Sequence, residues 1–474
     1  MSGVENVSGG RVFSPTERIT MPAYVREIIG RLNSRGFSAY AVGGAVRDCA
    51  LGLSPDDWDV ASSALPEEIE STFSDFRVIE TGIKHGTVSV VTGGNTVEIT
   101  TFRKESGYSD NRHPDAVEFV GDIAEDLRRR DFTVNSLAYN EKDGLIDLYG
   151  GLSDIQNKIV RAVGNPEERF SEDSLRILRA VRFSSKLGFS IEKQTLAAAE
   201  KLKSRLKNVS AERIFSELVK TLCGKDVFNA LMNYREIIAE IVPEIRPCFD
   251  FDQHSKWHLY DVYEHIVRSV AAIAPEPALR MTMFLHDIAK PAAFFMRDGE
   301  GHFYGHAEMS AVIAEKILKR LKAPVAFREK VLFLIKRHDA PFPESNFKLK
   351  KMLGESGEEA FFDLVKVKYA DNKAQGTDVA IAESEKTAKI TEKLKEIIES
   401  GECYSLKMLN VSGDELALIG FKGKEIGEEL NVLLNACMET PSLNDNERLK
   451  ELAEKHFARF NKRTQKMAKK TPFR

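Results

Sequence analysis

The sequence predicts an α+β protein, in which a small mixed sheet with helices is followed by an all-α region. Between residues 22 and about 148, short apolar strands alternate with glycine turns, as in FSAYAVGG, HGTVSVVTGG, NTVEITTFR and GLIDLYGG. After Gly151, segments such as LRILRAVRFSSKLGF repeat apolar residues three and four positions apart, which is the helical period. The length of 474 residues exceeds what one hydrophobic core supports, so we expect roughly three or four domains.

The composition indicates a globular protein without a general polybasic surface. Hydrophobic residues make up 42% of the chain, charged residues 30%, and the net charge is −4. No segment approaches the roughly 18 apolar residues that span a bilayer, and the first residues lack the apolar stretch of a signal peptide. The five cysteines are scattered without a CxxC pair, so we expect neither disulfides nor structural zinc, and a cytoplasmic location. Local basic runs, such as residues 128–130, remain candidates for nucleic-acid contacts.

Residues 41–59, AVGGAVRDCALGLSPDDWD, are predicted to form a strand, a glycine turn, a short helix, a second turn and a strand that ends at Asp59. Asp57 and Asp59 are two apart on this strand and therefore project from the same face. Gly43 and Gly44 lie at the start of the helix, where backbone N–H groups can approach a phosphate. A carboxylate pair beside such a turn indicates a nucleotidyltransferase, whereas a turn or helix cap is the alternative for the pair.

Transfer of a nucleotidyl group uses two metal ions that are bridged by carboxylates. Mg²⁺ prefers oxygen ligands and needs few protein groups, so Asp57 and Asp59 suffice as its anchor. Glu98, on the later strand of EITTFR, is a candidate third carboxylate, unless it faces outward. Arg47, on the short helix, can reach a phosphate, while Asp48 can hold Arg47 in place.

The segment RRRDFTVNSLAYN, residues 128–140, combines arginines with polar side chains. Arg128 and the two arginines after it suit contacts with phosphate or RNA. Asp131 and Asn135 are four apart and offer polar groups for a ribose, and helix capping is the alternative for both.

The segment SEDSLRILRAVRF places Asp173 and Arg176 three apart on a predicted helix, and therefore on one surface. Cytosine and adenine both present an amino donor beside a ring-nitrogen acceptor, which matches a carboxylate beside a guanidinium. Uracil and guanine place a carbonyl opposite the carboxylate, and a site whose polar groups are left unpaired rejects them. The pair can thus select C and A without a nucleic-acid template, although an ordinary salt bridge is the alternative.

Together these motifs resemble class II CCA-adding tRNA nucleotidyltransferases, which share a head and neck with bacterial poly(A) polymerases. The resemblance covers roughly the first half of the chain, in the segments GGAVRD with DWD, TGIKHGTVSV, EITTFR, YSDNRHPDAVEF, RRDFTVNSLAYN, EDSLRILRAVRF and SAERIFSEL. It implies a polymerase-β-like catalytic head followed by a helical neck, body and tail. It also implies tRNA, CTP and ATP as partners and Mg²⁺ as cofactor.

By this resemblance, Asp57 and Asp59 are the metal ligands of the head. Asp173 and Arg176 are the protein template for the incoming base, with Arg179 nearby. The further residues in motifs that bind the nucleotide are Arg128, Asp131, Asn135 and Arg182.

Two departures from the family pattern are small and lie away from the chemistry. Ser62 stands where Thr is usual, and Ser136 where Ala is common. Residues 103–113 look like the flexible loop of the family, whose presence argues for full CCA addition or for A addition alone. An A-adding enzyme and a poly(A) polymerase therefore stay open as alternatives.

Histidine is concentrated in the middle of the chain. The residues that follow the order of an HD phosphohydrolase domain are His265, His286, Asp287 and Asp371. Imidazoles and carboxylates suit a divalent transition metal such as Ni, Mn or Co, with open positions for water and phosphate. His306 and His338 are candidates for a second metal. An active site of this kind would hydrolyse phosphomonoesters or cyclic phosphates on damaged tRNA ends, whereas an inactive scaffold is the alternative.

The predicted organisation has five parts: a flexible leader (1–21), the nucleotidyltransferase head (22–150), a helical neck and body that binds nucleobase and RNA (151–250), the HD domain (251–378), and a helical tRNA-binding region (379–474). The end of the last part, from Lys455, is basic. No membrane segment and no protein partner are expected. An alternative of a different class is a metal phosphohydrolase whose N-terminal half only binds RNA, and the intact Asp57 and Asp59 pair speaks against it.

Overall fold

The computed structural model describes residues 19–83, 86–106 and 116–468. Most of the predicted leader, most of the predicted loop at 103–113, parts of TGIKHGTVSV and YSDNRHPDAVEF, and the last residues of the basic end lie outside this description. The chain divides into two compact units. The first contains the residues up to Arg246 with Lys319–Ala323, and the second contains Pro247–Leu318 with the residues from Pro324 onward.

A mixed sheet lies at the centre of the first unit. The strands of this unit are β1 (Ala39–Val42), β2 (Asp59–Ser62), β3 (Arg77–Gly82), β4 (Thr87–Thr92), β5 (Asn95–Thr101), β6 (Arg103–Ser106), β7 (Ala116–Phe119), β8 (Leu137–Asn140), β9 (Gly144–Asp147), β10 (Ile159–Val160) and β11 (Ser190–Ile191). The central sheet has the order β3-β4-β5-β2-β1-β8-β9, in which β2 and β5 run parallel and the other neighbours run antiparallel. The predicted strands in the first part of the chain are confirmed.

Strands β4 and β5 bury one face and leave the other more accessible. In β4 and β5, Val88, Val90, Val97 and Ile99 are fully buried, and the residues between them are not. Successive side chains of a strand point to opposite faces, so this alternation directs Glu98 away from the core.

Helices surround this sheet and continue beyond it. The helices of the first unit are α1 (Ala23–Ser34), α2 (Gly44–Ala50), α3 (Pro66–Thr72), α4 (Ile123–Arg128), α5 (Gly151–Asn157), α6 (Pro166–Glu172), α7 (Leu175–Leu187), α8 (Lys193–Leu202), α9 (Ala211–Leu222), α10 (Val227–Asn233) and α11 (Arg235–Ile241). Helix α7 packs against α9, and its buried residues include Leu178 and Val181. This packing positions the polar face of α7, which carries Arg176 and Arg179.

The remainder of the chain is helical apart from one short hairpin among the described residues. The helices that follow are α12 (Val262–Ala272), α13 (Pro277–Leu285), α14 (Lys290–Ala293), α15 (His306–Arg320), α16 (Val325–Arg337), α17 (Asn346–Ser356), α18 (Glu358–Ala374), α19 (Asp378–Glu399), α20 (Gly413–Ile419), α21 (Lys424–Glu439) and α22 (Asn446–Ala468). The hairpin consists of β12 (Phe295–Arg297) and β13 (Glu300–His302). The predicted α+β class is confirmed. Within the described ranges, no helix combines the length and hydrophobicity needed to cross a membrane.

Candidate functional site

The turn between β1 and α2 has a backbone conformation that requires glycine. Gly43 has φ +72° and ψ −124°, a region that residues with a side chain rarely adopt. A Cβ atom at Gly43 would also lie 2.9 Å from the Nη1 atom of Arg130. The missing side chain thus allows the start of α2 and the guanidinium of Arg130 to lie side by side.

The two aspartates predicted as metal ligands share one face. Asp57 and Asp59 are exposed, whereas Trp58 and Val60 between and after them are buried. The prediction that a strand ends at Asp59 is wrong, because β2 begins there. The pairing with β1 ends at Val42 and Asp59, and the pairing with β5 begins at Asp59 and Glu98, so Asp57 lies before the paired part of β2.

Glu98 lies beside this pair. It is the register partner of Asp59 across the parallel strands β2 and β5, and it is exposed on the same side. Although Asp59 is accessible to solvent, the protein around it partly desolvates its carboxylate, which raises the pKa of Asp59, and the Glu98 carboxylate adds to this rise. The positive charge of Arg130 lowers the pKa of Asp59, whereas the charge of Asp57 raises it further. A cation at this position would relieve the repulsion among the three carboxylates.

A hydrogen-bond network connects three elements around Asp131. Asn135 donates to the Asp131 carboxylate over 3.1 Å, and Arg179 donates to it over 2.8 Å. The Asn135 side-chain oxygen in turn accepts from Arg47, which also pairs with Asp48 at 2.7 Å. Burial alone would raise the pKa of Asp131, but Arg179 and Asn135 outweigh it and lower this pKa to about 2. Asp131 therefore carries its charge over the physiological pH range.

The prediction that Asp173 and Arg176 lie on one continuous helix is wrong. Helix α6 ends at Glu172 and α7 begins at Leu175, because the Asp173 carboxylate accepts a hydrogen bond of 3.0 Å from the Leu175 N–H group. The two residues also have different partners. Arg213 donates to Asp173 over 2.7 Å, and Arg176 pairs with Glu172 at 2.6 Å.

One cavity of about 790 Å³ brings most of the predicted head residues together. Its lining contains the predicted residues Gly43, Gly44, Arg47, Asp57, Asp59, Asp131, Asn135, Asp173, Arg176, Arg179 and Arg182. Glu98 does not line the cavity, but it lies next to these residues because it pairs with Asp59 across β2 and β5. Arg128 is exposed at the end of α4, and the lining contains Arg129 and Arg130 instead.

Sequence reasoning assigned no role to several residues of this cavity, among them Phe183 and Arg213. Phe183 is buried beneath three guanidinium groups, those of Arg47, Arg179 and Arg182, at 5.5, 5.5 and 4.3 Å from its ring centre. Arg213 comes from α9, in the segment SAERIFSEL. Arg213 lies 40 residues after Asp173, so no local pattern in the sequence indicates that the two side chains are in contact.

In the second unit, the predicted HD residues converge on one point. The residues of this first cluster are His265, His286, Asp287 and Asp371, whose ligand atoms all lie within 4.8 Å of one another. The Nε2 atoms of His265 and His286 are 3.3 Å apart. Such an approach of acceptor atoms suits a cation.

A second cluster shares Asp287 with the first. It consists of Asp287, His306 and His338, whose ligand atoms also lie within 4.8 Å of one another. One oxygen of Asp287 faces His265 and His286 at 3.2 Å, and the other faces His306 at 3.2 Å. Asp287 is therefore placed between the two groups of histidines.

The orientation of the rings also suits metal binding. The Nδ1 atoms of His286, His306 and His338 lie 2.7, 2.8 and 2.7 Å from backbone carbonyl oxygens three residues earlier. A proton on Nδ1 satisfies these bonds and leaves the Nε2 lone pair directed into the cluster. Burial lowers the pKa of His286, but the carboxylates of Asp287 and Asp371 outweigh it and raise this pKa to about 10. The cluster thus favours positive charge.

Three known families match the chain in order. Residues 39–161 match the Poly A polymerase head domain, 188–248 match the Probable RNA and SrmB- binding site of polymerase A, and 262–376 match the HD domain. Together these matches cover more than half of the chain.

Known proteins with similar sequences are CCA-adding enzymes. The enzyme of Ligilactobacillus salivarius (strain UCC118) is 52% identical over 207 residues, which are 44% of this chain and 51% of that protein. The enzyme of Enterococcus faecalis (strain ATCC 700802 / V583) is 49% identical over 208 residues, 43% of this chain and 51% of that protein. The chain thus spans about half the length of these curated relatives.

Solved structures extend the similarity over nearly the whole chain. The Bacillus stearothermophilus CCA-adding enzyme in complex with CTP has a TM-score of 0.69 at 28% identity and covers 95% of this chain and 100% of its own. A CCA-adding enzyme in complex with ATP, 21% identical with a TM-score of 0.54, covers 92% of this chain and 94% of its own and shares the fold. The chain thus carries a match to the Poly A polymerase head domain and a match to the HD domain, and it shares the fold of the Bacillus stearothermophilus CCA-adding enzyme.

Proposed function

We propose that the chain adds or repairs the 3′-terminal CCA of tRNA with CTP and ATP, and releases pyrophosphate. The observation that carries this proposal is one cavity in the first unit. It holds the aspartate pair, the glycine turn, the arginines, and the Asp173 and Arg176 groups that suit base selection.

The carboxylates of the head fit a pair of Mg²⁺ ions. Asp57, Asp59 and Glu98 would hold them, since their oxygens face one side and their mutual repulsion raises the pKa of Asp59. When bound, Mg²⁺ lowers the pKa of the attacking RNA hydroxyl and stabilises the leaving pyrophosphate.

The side chains around these carboxylates would bind and select the nucleotide. Arg47, Arg130 and Arg179 line the cavity and offset the charge of a triphosphate. The Asp173 carboxylate would accept from the amino group of C or A, and Arg176 would donate to the ring nitrogen. Since Arg176 pairs with Glu172 in this structure, base binding competes with that ion pair.

The addition of defined nucleotides tests this proposal. Transcripts that end before CCA, after C and after CC are incubated with CTP, ATP, GTP or UTP separately, and the product length is read on a gel. We expect two C additions, then one A, and no addition of G or U. Addition of A alone to the CC end would identify an A-adding enzyme, and long A tails a poly(A) polymerase.

The variant Asp57→Ala separates nucleotidyl transfer from the alternative of an RNA-binding metal phosphohydrolase. Loss of a metal ligand is expected to lower nucleotide addition by at least about 1000-fold, because several kcal/mol of transition-state stabilisation are lost. Hydrolysis by the second unit should be unchanged. Full nucleotide addition by the variant would refute the assignment of the aspartate pair.

A second activity, metal-dependent phosphohydrolysis in the HD domain, is supported by the two histidine clusters around Asp287. The candidate ligands are His265, His286, Asp287, Asp371, His306 and His338. A transition metal such as Ni, Mn or Co, when bound, supplies a nucleophilic water at neutral pH. Hydrolysis of phosphomonoesters or cyclic phosphates by protein loaded with each metal tests this activity, and its absence with all three would leave the domain as a scaffold.

A further inference from the structure

The ring of Phe183 lies among three arginines that come from two parts of the chain. Arg47 lies on α2, whereas Arg179 and Arg182 lie on α7, the helix that also carries Phe183. Their guanidinium carbons lie 5.5, 5.5 and 4.3 Å from the centre of the ring, in that order. All four residues line the cavity of about 790 Å³ in the first unit. The ring is 5% exposed, so protein rather than water surrounds it.

The three guanidinium groups repel one another at these distances. Burial lowers the pKa of Arg182, and the positive charges of Arg179 and Arg47 lower it further. Each arginine has a carboxylate partner, in the pairs Arg47–Asp48, Arg179–Asp131 and Arg182–Glu217. Each of these carboxylates holds one arginine, whereas the ring of Phe183 attracts all three.

An aromatic ring suits this position better than a further carboxylate would. The face of the ring attracts cations because its π electrons give it partial negative charge, and the attraction is greater where water is excluded. A ring carries no net charge, so it holds the guanidinium groups together without neutralising them. A carboxylate in the same place would attract the arginines but would repel a bound phosphate.

We propose that Phe183 is a positioning residue that holds Arg47, Arg179 and Arg182 together as one binding site for the polyphosphate chain of the incoming nucleotide. The proposal rests on the proposed nucleotidyl transfer and deepens it, because it names the group that assembles the phosphate side of the cavity. Base selection is assigned to other residues of the cavity. Phe183 should therefore affect the binding of CTP and of ATP equally.

Graded fluorination of the ring tests this role with little change in its shape. Phe183 is replaced by analogues of phenylalanine that carry one, two or three fluorine atoms, each of which withdraws electrons from the face of the ring. The dissociation constants of CTP and ATP are measured by isothermal titration calorimetry with Mg²⁺ and without RNA. We expect both constants to rise with each fluorine, by about tenfold in total and by the same factor for the two nucleotides.

Two substitutions by leucine separate the attraction of cations from packing. The rings of Phe183 and Phe73 are both buried, and each packs against another ring, that of Phe132 and that of Phe76 respectively. Phe73 follows α3 and does not line the cavity. Phe183→Leu should weaken the binding of both nucleotides by at least about tenfold, whereas Phe73→Leu should leave it unchanged at equal folded fraction. If Phe183→Leu does not fold, the fluorinated proteins decide the question alone.

Equal dissociation constants across the fluorinated series would overturn the proposal, and so would a weakening confined to one of the two nucleotides. The tRNA addition assay separates this outcome from failure of the proposed function. If fluorination weakens nucleotide binding but neither C nor A is added to tRNA, the proposed function fails and the role of Phe183 stands. If the protein with three fluorine atoms adds CCA with unchanged KM for CTP and ATP, the proposed function stands and the role of Phe183 is refuted.

Discussion

Asp131 is a buried carboxylate that keeps its charge through its partners. Arg179 donates two hydrogen bonds to one of its oxygens, and the amide of Asn135 donates to the other. The folded-state pKa of Asp131 is about 2, below the ordinary value of 3.8. A lowered folded-state pKa stabilises the protein above the unfolded-state pKa, and this stabilisation is lost as the pH falls through the folded-state value.

We therefore predict that Asp131→Asn destabilises the protein in a pH-dependent way. The Asp131 charge contributes roughly 2–3 kcal/mol to the free energy of unfolding at pH 7 and about 1 kcal/mol at pH 3. Urea denaturation of both proteins at several pH values should show a difference that shrinks as the pH falls. A difference that stays constant between pH 7 and pH 3 would contradict the pairing of Asp131 with Arg179.

Asp173 shows how a residue distant in sequence orients a functional side chain. Arg213 holds one Asp173 oxygen at 2.7 Å, while the other oxygen accepts from the Leu175 N–H group. With both oxygens engaged, the direction of the carboxylate towards the cavity is set before a nucleotide binds.

Arg213→Ala is accordingly expected to weaken base selection. Loss of a hydrogen bond to a charged group should lower the ratio of kcat/KM for CTP to that for UTP by about tenfold or more. Lys220→Ala, an exposed change on the same helix, should leave the ratio unchanged. An unaltered ratio in Arg213→Ala, measured by steady-state kinetics, would show that Asp173 needs no support from α9.

Among the secondary-structure elements, the turn from β1 into α2 depends most directly on a single residue. Gly43 combines a positive φ with an approach of 2.9 Å between its hypothetical Cβ atom and Arg130. Gly52, just after α2, has a similar φ of +75° but no atom within 4 Å of its hypothetical Cβ. A comparison of substitutions at the two glycines therefore separates the effect of backbone strain from the effect of a steric conflict.

We predict that Gly43→Ala and Gly52→Ala have similar effects on stability but different effects on activity. Each should lower the free energy of unfolding by roughly 1–2 kcal/mol, because alanine disfavours a left-handed backbone. Gly43→Ala should also displace Arg130 and lower nucleotide addition by up to about 100-fold. Equal activity of the two variants, at matched folded fraction, would argue against a role for the turn.

The prediction of elements succeeded where the pattern is local. Alternation in Asp57-Trp58-Asp59-Val60 places both aspartates on one face, because the side-chain period of an extended chain is two. The prediction of one helix through Asp173 was wrong, because the apolar periodicity of this segment is compatible with one long helix and does not show where the helix is interrupted. The hydrogen bond from Leu175 to the Asp173 side chain ends that helix.

Over the whole molecule, the two candidate sites are built from separate sets of residues. Every residue that lines the cavity of about 790 Å³ belongs to the first unit, and every residue of the two histidine clusters belongs to the second. A ligand that binds the folded histidine clusters should therefore stabilise the elements that carry them.

We predict that Ni²⁺ protects the second unit selectively from hydrogen exchange. At 100 times the dissociation constant, binding stabilises the folded site by about 2.7 kcal/mol, so amides of α12, α13 and α18 should exchange more slowly. Asp287→Asn, which removes the shared carboxylate charge, should abolish the effect. Protection that appears equally in β1 and β2, or that persists in the variant, would contradict metal binding at Asp287.

Short segments of the chain sufficed to predict many of the candidate catalytic and metal-binding residues. The glycine turn with the aspartate pair and the ordered histidines and aspartates were recognised because each motif is carried by neighbouring residues or by a fixed order. Arg213 was not recognised, since it belongs to no local pattern with a chemical meaning. Its contact with Asp173 arises only when α9 packs on α7.

Local periodicity and motif order therefore sufficed for the fold class, for the faces of the strands and for the identities of most candidate ligands. They could not reveal that Asp173 binds Arg213, that Arg128 lies outside the cavity, or that Asp287 stands between two histidine groups. Those relations join residues tens of positions apart. They depend on how helices and strands pack, because side chains meet according to the geometry of the folded chain and not according to their separation along it.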